Sequence, residues 1–72
     1  MEEDKINSKI NILIYGAGEA GRLFFKSILK NKIYNVCGFL DDSKEIQKKF
    51  VEGLEVYGKQ DIISVLKVFK IQ

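Results

Sequence analysis

Residues 10–21 read I-N-I-L-I-Y-G-A-G-E-A-G, and the reading of this stretch decides the fold. Ile10, Ile12, Leu13 and Ile14 make a short apolar run, and Gly16, Gly18 and Gly21 follow with the spacing G-x-G-x-x-G. In a dinucleotide-binding turn each glycine has its own task. The first lets the chain turn sharply off a strand. The second lets backbone approach a pyrophosphate, and the third lets the new helix pack closely. Phosphate oxygens would then lie on free N–H groups at the positive end of that helix. Gly16, Ala17, Gly18, Glu19, Ala20 and Gly21 are therefore candidate ligand-binding positions. The spacing alone is shared with ordinary turns, so the flanking sequence has to decide.

Upstream, 10–15 fits a strand buried on both faces, as in parallel sheets. Downstream the period becomes helical from Glu19. Ala20, Leu23, Phe24, Ser27 and Ile28 share one face, which Phe25 and Leu29 widen, while Arg22, Lys26 and Lys30 recur on the opposite, solvated face. Asn31 stops the helix and 30–35 is the return loop. A second apolar run, Asn35 to Leu40, is closed by Asp41 and Asp42. A crossover helix of about a dozen residues is what two parallel strands require, so 10–41 reads as one βαβ unit.

Asp41 stands twenty residues beyond Gly21. A carboxylate there accepts hydrogen bonds from an adenine-ribose diol and repels a 2′-phosphate, which favours NAD over NADP. Asp42 shares that role or caps the following segment. Glu19, at the helix start, complements the dipole and disfavours a heavily charged ligand such as a nucleoside triphosphate. Residues 43–52 fit a helical turn or a loop. L-E-V-Y, between Gly53 and Gly58, fits a third strand. Residues 59–70 fit an amphipathic helix with Asp61 near its start and Lys67 and Lys70 near its end, although β-branched residues leave a strand open for its end.

The sum is α/β: a Rossmann-like β-α-β-β-α half of a doubly wound parallel sheet, truncated, with a flexible lead-in over 1–9 and a partial NAD(P)-binding domain over 10–72. An inner strand left at an edge invites self-association unless a second half or another chain completes the sheet.

Composition narrows the function. Seventy-two residues suffice for one small domain, and a hydrophobic fraction of 46% fits a folded chain. The net charge is +2, and the twelve basic residues are spread along the chain, which leaves no nucleic-acid footprint. The single cysteine, Cys37, lies in an apolar run and reads as a small buried hydrophobe. Without histidine there is no zinc site and no base to activate that thiol. The acidic, polar start is no signal peptide, and no apolar run reaches the roughly 20 residues of a membrane span. Location is thus expected to be cytoplasmic. No G-K-[ST] follows the glycines, so a P-loop is excluded. None of Tyr15, Tyr34 and Tyr57 has a lysine four residues on. The chain offers a binding site and no catalytic or metal residues.

I-L-I-Y-G-A-G-E-A-G-R-L, V-C-G-F-L-D-D and G-L-E-V-Y-G together resemble the nucleotide-binding domain of CapD-like polysaccharide biosynthesis proteins, the nucleoside-diphosphate-sugar epimerases and 4,6-dehydratases. The resemblance spans about 10–66. It implies NAD(H) bound by Gly16, Gly18, Gly21 and Asp41 in a domain that is catalytically silent alone. It also implies a parent enzyme at the inner face of the plasma membrane, since such domains commonly follow transmembrane helices. The chain is similar as well to the small N-terminal domain of surface-glycan sugar acetyltransferases, which has a G-A-G turn and a like strand end and holds a nucleotide-sugar. Those turns tend to read G-A-G-G-H, where this chain has Glu19 and Ala20. A CoA-like ligand belongs with this second, non-catalytic reading.

Overall fold

A computed structural model describes residues 9–71. The expected lead-in falls, apart from Lys9, outside the described residues. Four strands and two helices follow one another: β1 (Ile10–Tyr15), α1 (Glu19–Ile28), β2 (Tyr34–Leu40), β3 (Phe50–Val51), β4 (Leu54–Tyr57), a 3₁₀ turn (Lys59–Asp61) and α2 (Ile62–Phe69). The sheet order is β1-β2-β4-β3; β2 runs parallel to β1 and to β4, and β3 runs antiparallel to β4. This is the expected α/β half sheet with a hairpin added at one side.

The core lies between α1 and the sheet. Ile14, Ala17, Phe25, Phe39 and Val56 are buried, with Ile28, Val36, Ile46, Val51 and Leu54 packed around them. The Phe25 and Phe39 rings meet with centroids 5.8 Å apart, tilted by 56°, a favoured aromatic arrangement. Strand side chains alternate between faces, so Asn11 and Tyr57 lie opposite Ile14 and Val56. There α2 docks: Phe69 presents its edge to Tyr57 at 6.2 Å, and Asn11 Nδ2 donates to the Phe69 carbonyl at 2.5 Å.

Several expectations are corrected. β1 is not buried on both faces: it is the edge strand, Ile14 is 5% exposed and Tyr15 70%. Of the expected apolar face of α1 only Phe25 and Ile28 turn inward, together with Gly21, while Ala20, Leu23, Phe24, Ser27 and Leu29 stay out; Leu23 is 62% exposed and Phe24 52%. Gly21 sets that choice. A Cβ on it would lie 1.7 Å from the Gly16 carbonyl oxygen, so the helix approaches the turn along the one line that has no side chain.

Cys37 is half-buried rather than core. It is the extra residue of a bulge, because Ile12 pairs with Val36 and Leu13 with Gly38. Partial desolvation pushes its thiol above the ordinary range. Gly38, next in line, is covered by Tyr57, whose ring would meet a Cβ there at 2.7 Å.

Residues 43–52, open in sequence between a helical turn and a loop, start with one turn and end in a strand. The Ser43 carbonyl accepts from Ile46 and Gln47 N–H in a single turn, and β3 follows. Val51 pairs with Leu54 across Glu52 (φ 53°) and Gly53 (φ 79°). Two consecutive positive φ values are what a tight I′-type hairpin requires. α2 stays helical despite its β-branched residues and ends at left-handed Lys70, where the N–H groups of Lys70 and Ile71 reach the Leu66 carbonyl.

Candidate functional site

Three parallel strands bring their carboxyl ends, Tyr15, Leu40 and Tyr57, to one edge of the sheet. The ladder runs one residue beyond each: Gly16 N–H donates to the Leu40 carbonyl at 2.6 Å, and Asp41 N–H to the Tyr57 carbonyl at 3.0 Å. In open α/β sheets this edge is where ligands bind.

The glycine turn sits on that edge. Gly16 has φ +100°, a conformation that side chains resist. Ala17 is buried in the core at 4% exposure. Gly18 is extended, caps α1 without a side-chain bond, and accepts Arg22 N–H at 3.0 Å. A Cβ added to Gly18 would meet nothing within 4 Å, so that side is open. The first N–H groups of α1, from Glu19 and Ala20 onward, have no acceptor within the helix. Glu19 and Ala20 are themselves exposed.

Asp41 and Asp42 both reach this edge but are differently engaged. Asp41 Oδ2 accepts Ala17 N–H and Oδ1 accepts Ser43 N–H, each at 2.8 Å. These bonds, Ala17 first, hold its carboxyl below the ordinary carboxylate range. Its carbonyl accepts Gln47 Nε2 at 2.8 Å, and Gln60 Nε2 donates to Gln47 Oε1 at 3.2 Å. Asp42 is exposed and caps no helix; its Oδ2 accepts the Tyr15 hydroxyl. That hydrogen bond, then the Asp42 charge, raises the Tyr15 phenol above its usual value.

Beside the pair is a hollow of about 120 Å³ lined by Tyr15, Leu40, Asp42, Lys59 and Ile62. It offers apolar walls, one carboxylate, one phenol and one ammonium. A larger groove of about 360 Å³ runs along α2 between Tyr57, Asp61, Val65 and Phe69. It shares no residue with the smaller hollow, and none of Gly16 to Gly21 lines either one.

The structure thus gathers Gly16, Ala17, Gly18, Glu19, Ala20, Gly21, Asp41 and Asp42 at one edge. Sequence reasoning missed Tyr15 and Lys59. Their positions next to Gly16 and Gly58, at the two strand ends, were the available signal.

The sequence profile of the PglD N-terminal domain matches residues 11–71. The chain belongs to this family. No curated protein matches it. Among solved structures eight chains match. One is RSP, a Rex-family repressor, with TM-score 0.79 and 18% identity over 99% of this chain and 34% of the repressor. Another is RSP in complex with beta-NADH, with TM-score 0.77 and 18% identity over 99% and 35%. This PglD-type domain therefore spans about a third of the length of those proteins, and at such identity the likeness establishes a shared Rossmann-like fold. The match is to the second of the two resemblances drawn from sequence; the CapD-like one is not specifically supported. Among the described residues no helix is long and apolar enough to cross a membrane.

Proposed function

We propose that this domain binds a nucleoside-diphosphate compound at the glycine turn, and that the compound is a nucleotide-sugar. The observation that carries this is the open N-terminus of α1 above Gly18, set at the carboxyl edge of a parallel sheet. Unpaired N–H groups and the helix dipole there suit a diphosphate. Family membership supports the sugar. The N-terminal domains of surface-glycan sugar acetyltransferases, which this chain resembles, hold a nucleotide-sugar. The epimerase and dehydratase relation would instead place NAD(H) at this turn, in a different parent enzyme. In either parent the domain binds, and the chemistry belongs elsewhere.

A second reading, NADH, is favoured by the structural likeness to the NADH-bound repressor. NAD would occupy the same turn with its own diphosphate. Calorimetric titration of the protein with a UDP-sugar, NADH, NADPH and CoA separates the two. The expected result is saturable binding of the UDP-sugar that Gly18→Val abolishes. Saturable binding of NADH instead selects the second reading. Equal weak signals from the native protein and Gly18→Val for every compound would remove both.

A further inference from the structure

The two neighbouring carboxylates do not share one task. We propose that Asp41 is a positioning residue that pins the glycine turn to the end of β2, and that the ligand's ribose is read by Asp42. The second half rests on the nucleotide reading above.

The argument begins with what each carboxylate oxygen already holds. Asp41 Oδ2 takes the Ala17 N–H from the turn, and Oδ1 takes the Ser43 N–H from the chain beyond β2, both at 2.8 Å. The carboxylate is thereby clamped between two backbone segments 26 residues apart (Ala17 and Ser43). Turning it toward a sugar diol would strip both N–H groups of their acceptor, and an unpaired N–H in a half-buried site is unfavourable. The Gln47 amide on the Asp41 carbonyl holds the backbone from a third direction. Ala17 is also buried among Ile14, Phe25, Phe39 and Val56. Asp41 therefore ties the turn to β2 from one side while the core holds it from the other. The Ala17 N–H is committed before any ligand arrives, which leaves the diphosphate to the N–H groups of Gly18 onward.

Asp42 is in the opposite state. It is exposed, its Oδ1 accepts no hydrogen bond among the described residues, and its Oδ2 is met by the phenol of Tyr15, itself 70% exposed. Both groups line the small hollow at the carboxyl ends of β1 and β2, together with Lys59. A carboxylate with one open oxygen and a phenol that can swing away is equipped to take a diol. If Asp42 reads the ribose, discrimination against a 2′-phosphate falls to Asp42 rather than Asp41 as well.

Two measurements test this. Amide hydrogen exchange of the ligand-free protein should show the Ala17 N–H protected, and Asp41→Asn should accelerate Ala17 and Ser43 more than Ile14. An unprotected Ala17 amide in the native protein overturns the positioning role, whether or not any nucleotide binds. If Asp41→Asn fails to fold, an NMR pH titration of the native protein decides: the Ala17 and Ser43 amide shifts should follow one carboxyl midpoint, and their failure to move together overturns it. Titration with UDP and 2′-deoxy-UDP tests the second half. The native protein should prefer UDP by about tenfold, the value of one charge-assisted hydrogen bond. Asp42→Asn should erase that ratio, and Asp41→Asn should weaken both compounds while keeping it. A ratio lost with Asp41→Asn and kept with Asp42→Asn reverses the assignment. If the native protein binds neither compound, the nucleotide reading fails and takes the role of Asp42 with it, while the exchange data still judge Asp41.

Discussion

Gly21→Ala sets two rules against each other. Within a helix, alanine is favoured over glycine by about 1 kcal/mol, so propensity alone predicts a more stable protein. The structure predicts the reverse. The added Cβ would stand 1.7 Å from the Gly16 carbonyl oxygen and 2.8 Å from its carbon, where contacts under 3.0 Å force something to shift. Both atoms are backbone, so no side-chain rotation relieves them. α1 has to withdraw from the turn by more than an ångström, which opens the contacts of Ala17 and Phe25 in the core. Overpacking of this kind costs up to about 3 kcal/mol, and the propensity gain offsets only about 1 of that. The net loss of about 2 kcal/mol is a large part of the roughly 4–11 kcal/mol expected for a 72-residue domain. In a domain this small it lowers Tm by about 8–16 °C. Thermal melts followed by circular dichroism, with Gly18→Ala as comparator, measure it. A Gly21→Ala protein melting at or above the native temperature would refute the close approach of helix and turn.

Gly18→Val should leave Tm within a few degrees of native, because its backbone is extended and its Cβ enters open space; thermal melts check this beside the binding titrations. Phe39→Ala removes a fully buried ring from the centre of the core, at a cost of about 3–5 kcal/mol, and loss of amide dispersion in NMR spectra at 25 °C is the expected sign. Asp41 has its folded-state pKa lowered by the N–H bonds from Ala17 and Ser43, so its stabilisation is complete above the unfolded value, near 4. It is lost as pH falls through the lower folded value. Urea melts of native and Asp41→Asn proteins should differ at pH 6 and converge toward pH 2. Asp42→Asn should bring the Tyr15 phenol down, because the hydrogen bond and charge that raise it both come from Asp42; ultraviolet titration of the phenols at alkaline pH reads the change.

The parts of the fold that sequence makes legible are those where one local signal suffices. β1, β2 and β4 are short apolar runs bounded by turn residues, and the structure has them over 10–15, 34–40 and 54–57. β3 was not legible. It is two residues long, Phe50 on it is exposed, and its turn puts Glu52 at positive φ, a place where composition predicts asparagine or glycine. Only pairing with β4 makes those residues a strand. The gathering of the site was legible too, because twenty residues from Gly21 to Asp41 is the length of a helix and its return to the sheet. What each carboxylate does there was not. Asp41 and Asp42 are identical in chemistry and adjacent in sequence, so only the direction of their side chains divides them.

The face of α1, of which only Phe25 and Ile28 were placed rightly, shows where pattern counting stops. Leu23, Phe24 and Ala20 form the more apolar stripe, and burial of apolar area would ordinarily turn them inward. They stay out because docking is decided first by distance. A helix can approach backbone closely only along a line without a Cβ, and Gly21 supplies that line against the Gly16 carbonyl. Once Gly21 faces the turn, a rise of four and then three residues places Phe25 and Ile28 against the sheet, where Phe25 finds Phe39. The cost is an exposed stripe of large side chains on the outer surface of α1. The gain is a turn held close enough for the first N–H groups of the helix to stand over the carboxyl edge of the sheet. The third glycine of the motif therefore fixes the rotation of the whole helix as well as its proximity. Hydrophobic periodicity will misassign the buried face of any such helix unless that glycine is placed first.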